Sequence, residues 1–198
     1  MATHMFTVAW KAMMEVRPRP RYVPNASGAA RLARDLGIPT AFDINFREHL
    51  WPSTGTARET VDPLLDLSTV VKLGDDEISP LLGVERPEEA AEILLGRGVS
   101  LVLVSLGPEG AFYAAGGFSG SVPAFEVEVV DATGAGDAFF AAALVHLSGE
   151  RGHLSDEERV REATVRGSAA GALACTDYGA MRALPTKEEL ERFMSGGN

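Results

Sequence analysis

The sequence predicts an α/β fold in three layers, in which helices cover both faces of a largely parallel sheet. Segments with the short apolar runs of buried strands alternate along the chain with segments of helical periodicity. The run SLVLVSL (100–106) is the clearest strand, and its nearly continuous apolar character is typical of a strand buried on both faces. The chain has 198 residues, of which 45% are hydrophobic and 23% charged, so it can bury the core of such a fold.

Each element has its own signal in the sequence. The helix that ends in AARLARDLG (29–37) is bounded by a glycine, and another helix begins at Pro87, before two glutamates. Further buried strands are predicted in IPTAFDIN (38–45), TVVKL (69–73) and AFYAA (111–115). The remaining helices are predicted at Ala57–Leu67, 75–83, Ala135–Leu147, Asp156–Ala174 and Lys187–Met194. The segment EVEVVDATGAGD (126–137) is predicted as a strand that turns directly into a helix.

Composition excludes several classes of function. The formal net charge is −10, from 18 basic and 28 acidic residues, which argues against nucleic acid as a partner. The one basic cluster, Arg17, Arg19 and Arg21, alternates with prolines and predicts a solvated arm. No apolar stretch reaches the roughly 20 residues that span a bilayer, and no signal peptide is evident, so no membrane partner is expected. The single cysteine, Cys175, excludes an internal disulfide framework and a multi-cysteine zinc site. Together these observations predict a cytoplasmic protein.

The corner at VVDATGAGD (129–137) combines features that suit an anion site. Gly134 and Gly136 leave the backbone open to a close ligand, and the helix N-terminus that follows offers N–H groups without intrahelical partners. Asp137, in the first turn, is placed to accept a proton from a hydroxyl. Asp131 and Thr133 supply oxygen atoms suited to a hard cation. A helix cap with a tight turn and no chemistry would use the same residue types, so the corner alone leaves both interpretations open.

Other glycine-rich and nucleophile motifs are absent from the sequence. No string matches the GxxxxGK[ST] phosphate loop, and Phe139 stands where the third glycine of a dinucleotide-binding GxGxxG would be. Ser105 lies in LVSLG rather than in the GxSxG of a nucleophile elbow. Neither an NAD-dependent oxidoreductase nor a serine hydrolase is therefore supported.

Five segments, in order along the chain, resemble the ribokinase-like (PfkB) carbohydrate kinases. DATGAGDAFFAAAL resembles the C-terminal signature of that family, and FDINFREHLW resembles the D-x-N-x-R-x-x-L-W stretch of fructokinases and 2-keto-3-deoxygluconate kinases. The other three are VVKLGDDEISPLLG, LVLVSLGPEGAFY and ALACTDYGAMRALPT. The resemblance covers the chain from about Ala29 to its C-terminus and implies a Rossmann-like, ribokinase-like fold without its N-terminal part and lid.

The resemblance implies a role for each matching residue. Asp137 resembles the catalytic base that binds and deprotonates the sugar hydroxyl, and the N–H groups of Gly134, Ala135 and Gly136 resemble the anion hole for the γ-phosphoryl group. The nucleotide-binding positions are Ser105, Gly107, Gly110 and Ser168. The metal positions are Glu77, for Mg²⁺ through water, and Asp131 with Thr133, for a monovalent cation such as K⁺. Arg47 matches an arginine on the substrate or phosphate side, and the alternative for it is a surface salt bridge. ATP and Mg²⁺ are the implied cofactors.

Residues 1–28 do not resemble the family, whose N-terminal part supplies strands, a β-sheet lid, a sugar-binding Asp and a Gly-Gly motif. We therefore expect an atypical N-terminal arm (1–28), a C-terminal nucleotide-binding part (29–198) and a truncated or misframed reading frame. Two functions stay open. The first is an ATP-dependent kinase of a small sugar or sugar acid, fructose before 2-keto-3-deoxygluconate. The second is an inactive nucleotide-binding remnant, or one part of a split enzyme.

The missing strands also lead to expectations about assembly and core. An uncovered sheet edge predicts a chain that is dimeric or poorly soluble. The apolar residues of Phe6–Trp10 and Met13–Met14 are expected to fold back over that edge. Cys175, Met181 and the pair Phe139–Phe140 are expected in the core.

Overall fold

The computed structural model describes residues 6–7, 23–148 and 153–196, and it divides into two units. The first unit comprises Met1–Val104 and Ala114–Gly116, and the second comprises Ser105–Tyr113 and Gly117–Asn198. Arg17, Arg19, Arg21, Trp10, Met13 and Met14 lie outside the described residues. The predicted α/β class is confirmed, since strands and helices alternate through most of the described chain.

The first unit is built from strands and helices that alternate along the chain. The strands are β1 (Phe6–Thr7), β2 (Thr40–Asp43), β3 (Val70–Gly74) and β4 (Leu101–Ser105, whose last residue belongs to the second unit). The helices are α1 (Val23–Asp35), α2 (Thr54–Leu65), α3 (Asp75–Leu82) and α4 (Pro87–Gly96). In the sheet these strands follow the order of the sequence, and β1–β2 and β2–β3 are parallel, with Phe42 opposite Val71. Helix α1 thus begins within the stretch that we treated as an N-terminal arm.

The predicted signals account for these elements. Strand β3 is buried along its whole length and β4 over its first four residues, which confirms the continuous apolar runs as strands covered on both sides. The Ser53 hydroxyl caps α2 by accepting a hydrogen bond from the Thr56 N–H at 3.1 Å. Gly83 ends α3 in the left-handed conformation, at φ +74°, where a side chain would be strained.

The second unit contains a hairpin followed by three helices. The hairpin strands are β5 (Ala111–Ala115, whose last two residues belong to the first unit) and β6 (Phe118–Val122), and a two-residue connection makes the pair antiparallel. The helices are α5 (Ala135–Leu147), α6 (Glu157–Ala174) and α7 (Lys187–Met194), as predicted. The sheet is therefore mixed rather than purely parallel, because this hairpin adds an antiparallel pair.

In the second unit one strand was missed and one predicted strand was wrong. Strand β6 was missed because its sequence, FSGSV, alternates small polar residues with apolar ones and contains a glycine. The segment 126–130 is not a strand, although EVEVV alternates like one. Pro123 directly follows β6 and cannot donate a ladder hydrogen bond, and Val129 is 63% exposed. The corner thus joins an irregular segment, not a strand, to helix α5.

The core of the second unit depends on close packing of α5 against α6. Phe139 and Phe140 are buried, as expected. A Cβ on Gly167 would lie 2.8 Å from the Phe139 carbonyl oxygen, so the two helix backbones approach too closely for any side chain there. Met181, expected in the core, is 87% exposed, because it lies in the irregular segment after α6 rather than on a packed helix face. Cys175 is only partly buried.

Buried charge is concentrated in the first unit. The Lys72 ammonium lies 3.1 Å from Asp43 Oδ1, and both side chains are largely buried. Glu77, in the first turn of α3, is 5% exposed, and its carboxylate accepts hydrogen bonds from the N–H groups of Gly74 and Phe46. Burial raises the pKa of Glu77 to about 7, against the opposing effects of both hydrogen bonds and of Lys72. None of the described helices combines the length and the apolar character of a membrane-spanning helix.

Replacing Gly167 with Ala should destabilise the chain, although alanine is the better helix former. The added Cβ collides with backbone and ring atoms of Phe139, which costs about 1–3 kcal/mol of unfolding free energy. The matched control is Gly28→Ala in α1, where a Cβ meets nothing within 4 Å and helix propensity should stabilise by about 0.5–1 kcal/mol. Urea denaturation gives the unfolding free energy of the wild type and of both variants. Equal effects at the two positions would contradict this packing.

Glu77 should make stability depend on pH. Because the folded-state pKa lies above the ordinary value of 4.5, its contribution is fully present below pH 4.5 and is lost as the pH rises towards about 7. The unfolding free energy of the wild type minus that of Glu77→Gln should therefore fall by about 3–4 kcal/mol across this interval and stay level above it. Glu59→Gln, at an exposed position, is the control and should give a flat difference. A flat difference for Glu77→Gln too would disprove the shift.

Candidate functional site

A left-handed turn at Gly134 sets the geometry of the predicted anion site. Gly134 precedes α5 with φ +89°, and a Cβ there would lie 3.0 Å from Cα of Ala180. Both the dihedral and the close approach therefore require glycine. Asp137 is the third residue of α5 and is only partly buried, so its carboxylate stands in the first turn of the helix, as predicted.

Asp131 ties the segment before α5 to the segment after α6. Its Oδ1 accepts a hydrogen bond from the Thr133 N–H at 2.9 Å, and its Oδ2 accepts one from the Gly179 N–H at 3.0 Å. The Val130 N–H also donates to the Cys175 carbonyl oxygen at 2.8 Å. Hydrogen bonds from the Thr133 side chain, then from the N–H groups of Thr133 and Gly179, lower the pKa of Asp131, which is therefore ionised at neutral pH. The predicted cation ligand has a structural role as well.

The predicted donors of the anion hole are not equivalent. The Ala135 N–H donates to the Ala132 carbonyl oxygen at 3.2 Å and thereby closes the turn before the helix. The N–H of Gly136 belongs to the first turn of α5, where backbone donors have no intrahelical acceptor and the helix dipole is positive. Donors of this kind stabilise negative charge that develops in a phosphoryl transfer.

The predicted nucleotide-binding turn lies between β4 and β5. The Leu106 N–H donates to the Gly110 carbonyl oxygen at 2.8 Å and closes the loop. Gly110 has φ +101°, and a Cβ there would lie 2.1 Å from the Val122 carbonyl oxygen, so its glycine is required by packing. Gly107, at φ +55°, faces open space and leaves its backbone accessible. The buried Ser168 hydroxyl donates to the Pro123 carbonyl oxygen at 3.2 Å, which gives this predicted nucleotide ligand a structural partner.

The remaining predicted site residues, Arg47 and Glu77, belong to the first unit. Arg47 is exposed, and within the part of the chain that the structure describes its guanidinium has no hydrogen bond or ion pair. The alternative of a surface salt bridge thus finds no support there. Both oxygens of Glu77 are occupied by backbone N–H groups. A role in holding Mg²⁺ through water remains a prediction.

Sequence reasoning missed three features beside these residues. Asn45, next to Phe46, has φ +45°, and the signal was available because asparagine is among the few residues that tolerate this conformation. Lys72 was not singled out, since nothing in TVVKL marks its pairing with Asp43. The indole N–H of Trp51 is buried without a partner among the described residues.

Apolar side chains surround the corner at the surface. Five of them are exposed on the two segments that meet at Asp131, namely Val129, Val130, Tyr178, Met181 and Leu184. Among the described residues, no group of three or more His, Cys, Asp and Glu side chains could hold a metal ion by itself. Magnesium in phosphoryl transfer is usually bound by one or two carboxylates together with water and the phosphates themselves, so the site does not require such a group.

Curated proteins are similar in sequence to this chain over most of its length. The chain is 41% identical over 168 residues to the protein named "Probable fructokinase-6, chloroplastic" of Arabidopsis thaliana. The matched region covers 84% of this chain and 44% of the relative. The chain is also 36% identical over 167 residues to "Fructokinase-1" of Oryza sativa subsp. japonica, and that match covers 84% of this chain and 52% of the relative. The chain thus spans about half the length of the curated relatives it matches.

Solved structures of sugar and riboside kinases have the same fold. The aminoimidazole riboside kinase of Salmonella enterica, complexed with aminoimidazole riboside and an ATP analog, matches with a TM-score of 0.80 at 33% identity, over 96% of this chain and 61% of that one. The fructokinase of Vibrio cholerae O395, with bound fructose, ADP and calcium ion, matches with a TM-score of 0.80 at 30% identity, over 94% of this chain and 59% of that one.

The family model described as pfkB family carbohydrate kinase matches residues 22–187. That range includes every residue of the corner, of the turn between β4 and β5, and of the loop that carries Arg47. With the fold and the relatives in agreement, the chain belongs to the pfkB family of carbohydrate kinases.

Proposed function

We propose that this chain is the nucleotide-binding and catalytic part of an ATP-dependent sugar kinase, with fructose as the first candidate substrate and 2-keto-3-deoxygluconate as the second. The observation that carries the proposal is Asp137 in the first turn of α5, directly after the left-handed Gly134. This arrangement puts a carboxylate beside backbone N–H donors, which is what transfer of a phosphoryl group to a hydroxyl requires. The names of the curated relatives support fructose.

In the proposed reaction Asp137 accepts the proton of the sugar hydroxyl. The hydroxyl oxygen forms a bond to the γ-phosphorus while the bond from that phosphorus to the bridging oxygen breaks, and ADP leaves. The N–H groups at the start of α5 stabilise the negative charge on the transferring group, and they need no rearrangement because the Gly134 turn already fixes them. Gly107 leaves backbone open for the nucleotide phosphates. The exposed Val129, Val130 and Tyr178 offer apolar surface to the base.

Cations would assist this chemistry by neutralising phosphate charge. The ionised Asp131 and the hydroxyl of Thr133 are hard oxygen donors suited to a monovalent cation such as K⁺, because the partly exposed Asp131 carboxylate keeps lone pairs that its two N–H partners do not use. Glu77 is buried with both oxygens on backbone N–H groups, so it fits Mg²⁺ only through water. A fructokinase variant of Vibrio cholerae O395 was solved with fructose, ADP and potassium ion, and a kinase of E. coli with ATP and Mg²⁺, which supports both ions for the present chain.

The alternative proposal is an inactive nucleotide-binding remnant, or one part of a split enzyme. The chain spans 44% and 52% of the length of the two relatives named above. Strand β1 adds only two residue pairs to the edge of β2. An apolar groove of about 310 Å³ is lined by residues of α1, of β2 and of the loop between them, together with Leu64 of α2, and it includes the exposed Leu32 and Leu36. This surface supports a homodimer or poor solubility, and the cytoplasm remains the compartment that the sequence predicts.

The isolated chain should bind Mg·ATP or Mg·ADP weakly, and Gly136→Asp should remove the binding. The new carboxylate at the start of α5 repels the phosphates where the wild type offers an N–H group. Gly116→Asp adds the same charge at an exposed hairpin position and should leave the affinity unchanged. Calorimetry at millimolar nucleotide decides, and binding that survives Gly136→Asp would count against the site.

The purified chain should phosphorylate fructose slowly or not at all, since no sugar-clamping residues or lid were found in its sequence. Any activity that is present should fall about 10²–10⁴-fold in Asp137→Asn, because the amide cannot accept the hydroxyl proton. Asp35→Asn, at an exposed position in α1, is the control for loss of one negative charge. A coupled assay of ADP release measures the rates. Robust turnover retained by Asp137→Asn would rule out Asp137 as the base.

A further inference from the structure

We propose that Glu77 and Asn45 are positioning residues that hold Arg47 for contact with a phosphoryl group, either of the nucleotide or of the phosphorylated sugar. The inference rests on the proposed function, because it concerns how a kinase substrate is held. Arg47 was expected on the substrate or phosphate side, whereas Glu77 was expected to act only on Mg²⁺ through water. The contacts of the Glu77 carboxylate indicate a second role for this residue, in the structure of the loop that precedes Arg47.

Glu77 connects two backbone segments inside the first unit. Its Oε2 accepts a hydrogen bond from the Gly74 N–H at 2.6 Å, at the junction of β3 and α3. Its Oε1 accepts a short hydrogen bond from the Phe46 N–H, in the loop after β2. A Cβ on Gly74 would lie 2.6 Å from Asp76 Oδ1 but at an ordinary contact distance, 3.6 Å, from Glu77 Oε2. The residue bound by Oε1 immediately precedes Arg47.

The backbone on both sides of Asn45 is fixed. The Ile44 N–H donates to the Lys72 carbonyl oxygen at 3.0 Å, and the Phe46 N–H donates to Glu77. Between them Asn45 is the one non-glycine residue with positive φ in the described part of the chain. A left-handed conformation is costly for residues with a Cβ, and asparagine is one of the few that adopt it readily. The chain therefore leaves β2 through a constrained turn rather than a loose loop.

Arg47 follows this constrained turn directly. Its guanidinium is exposed and, among the described residues, has no hydrogen bond or ion pair, although the chain carries a net charge of −10. A guanidinium matches the oxygens of a phosphoryl group in a bidentate manner, and this match is sensitive to small displacements of the side chain. A turn that fixes the backbone next to Arg47 would reduce the entropy lost on binding such a group.

Binding measurements without divalent cations separate the positioning of Arg47 by Glu77 from any effect of Glu77 through Mg²⁺. Binding of fructose 6-phosphate and of ADP to the full chain is measured by calorimetry in EDTA, where no divalent cation can mediate an effect of Glu77. Arg47→Ala should weaken binding of at least one probe about tenfold, and the probe affected identifies the source of the phosphoryl group. Glu77→Gln should weaken the same probe about three- to tenfold. The double variant should bind no more weakly than Arg47→Ala alone, because Glu77 acts through Arg47.

Two further measurements keep the inference testable if Glu77→Gln folds poorly. Asn45→Ala should weaken the same probe, and Asn45→Gly, which adopts positive φ without cost, should restore most of the loss. Exchange of the Phe46 amide hydrogen should be slow in the wild type and several-fold faster in Glu77→Gln. Glu59→Gln, an exposed site in the same unit, should change neither the affinity nor the exchange rate.

The outcomes distinguish this inference from the proposed function. Additive losses in the double variant, or unchanged exchange at Phe46, would overturn the positioning role while leaving the kinase proposal intact. A loss in Glu77→Gln that appears only with Mg²⁺ would likewise overturn it in favour of the metal role. A wild-type chain that binds neither probe, in EDTA or with Mg²⁺, would contradict the kinase proposal and the task of Arg47 together.

Discussion

The close approach of Gly134 to Ala180 is the constraint on which the second unit depends. A Cβ at Gly134 would lie 3.0 Å from Cα and 3.1 Å from the carbonyl oxygen of Ala180, so this close contact and the φ of +89° both favour a residue without a side chain. Asp131 then joins the segments before α5 and after α6 by accepting a hydrogen bond from Gly179, and Val130 donates to the Cys175 carbonyl oxygen. The start of α5 is thereby fixed by backbone contacts, before any ligand binds.

The rest of the second unit supports that fixed point by tight helix packing. Gly167 and Gly171 in α6 face Phe139 and the Ala135 carbonyl oxygen of α5, at distances that leave no room for a side chain at Gly167 and little at Gly171. Small residues from α5 and α6, with Leu190 of α7, form the buried cluster beneath. Because packed interiors resist deformation, the N–H groups at the start of α5 have little freedom to turn away. This is the physical basis for treating the corner as preorganised.

In the first unit buried charged side chains fix the backbone, whereas in the second unit glycines allow backbone segments to approach closely. Asp43 is neutralised by Lys72, and Glu77 is surrounded by backbone N–H groups. Burying a carboxylate is costly even when it is hydrogen-bonded, and the same burial raises the pKa of Glu77. An apolar residue at this position would avoid the cost but could not accept two N–H groups. The carboxylate therefore determines the course of the backbone just before Arg47.

Local sequence patterns were sufficient for the α/β class, the family resemblance and the bounds of α3, α5, α6 and α7 to within one residue, whereas α1 and α2 begin earlier than predicted. Continuous apolar runs such as 100–106 and capping signals such as Pro87 act locally and can be read without a fold. The position of Asp137 in the first turn of α5 follows from the same local rules. Residues 126–130 show the limit of this reasoning, since their alternation resembles a strand although they form none.

Which of the predicted site residues also hold the backbone together became clear only from contacts between distant parts of the chain. The backbone at the end of β6 approaches Gly110 too closely for a side chain there. Ser168 donates a hydrogen bond to the Pro123 carbonyl oxygen, and Asp131 accepts hydrogen bonds from two loops. Tertiary structure also decided that Met181 is exposed and that Glu77 reaches Phe46, 31 residues away in sequence. Such contacts join segments that are distant along the chain, and no local pattern encodes which backbone group will face a given side chain. Their partners exist only once the strands and helices have packed.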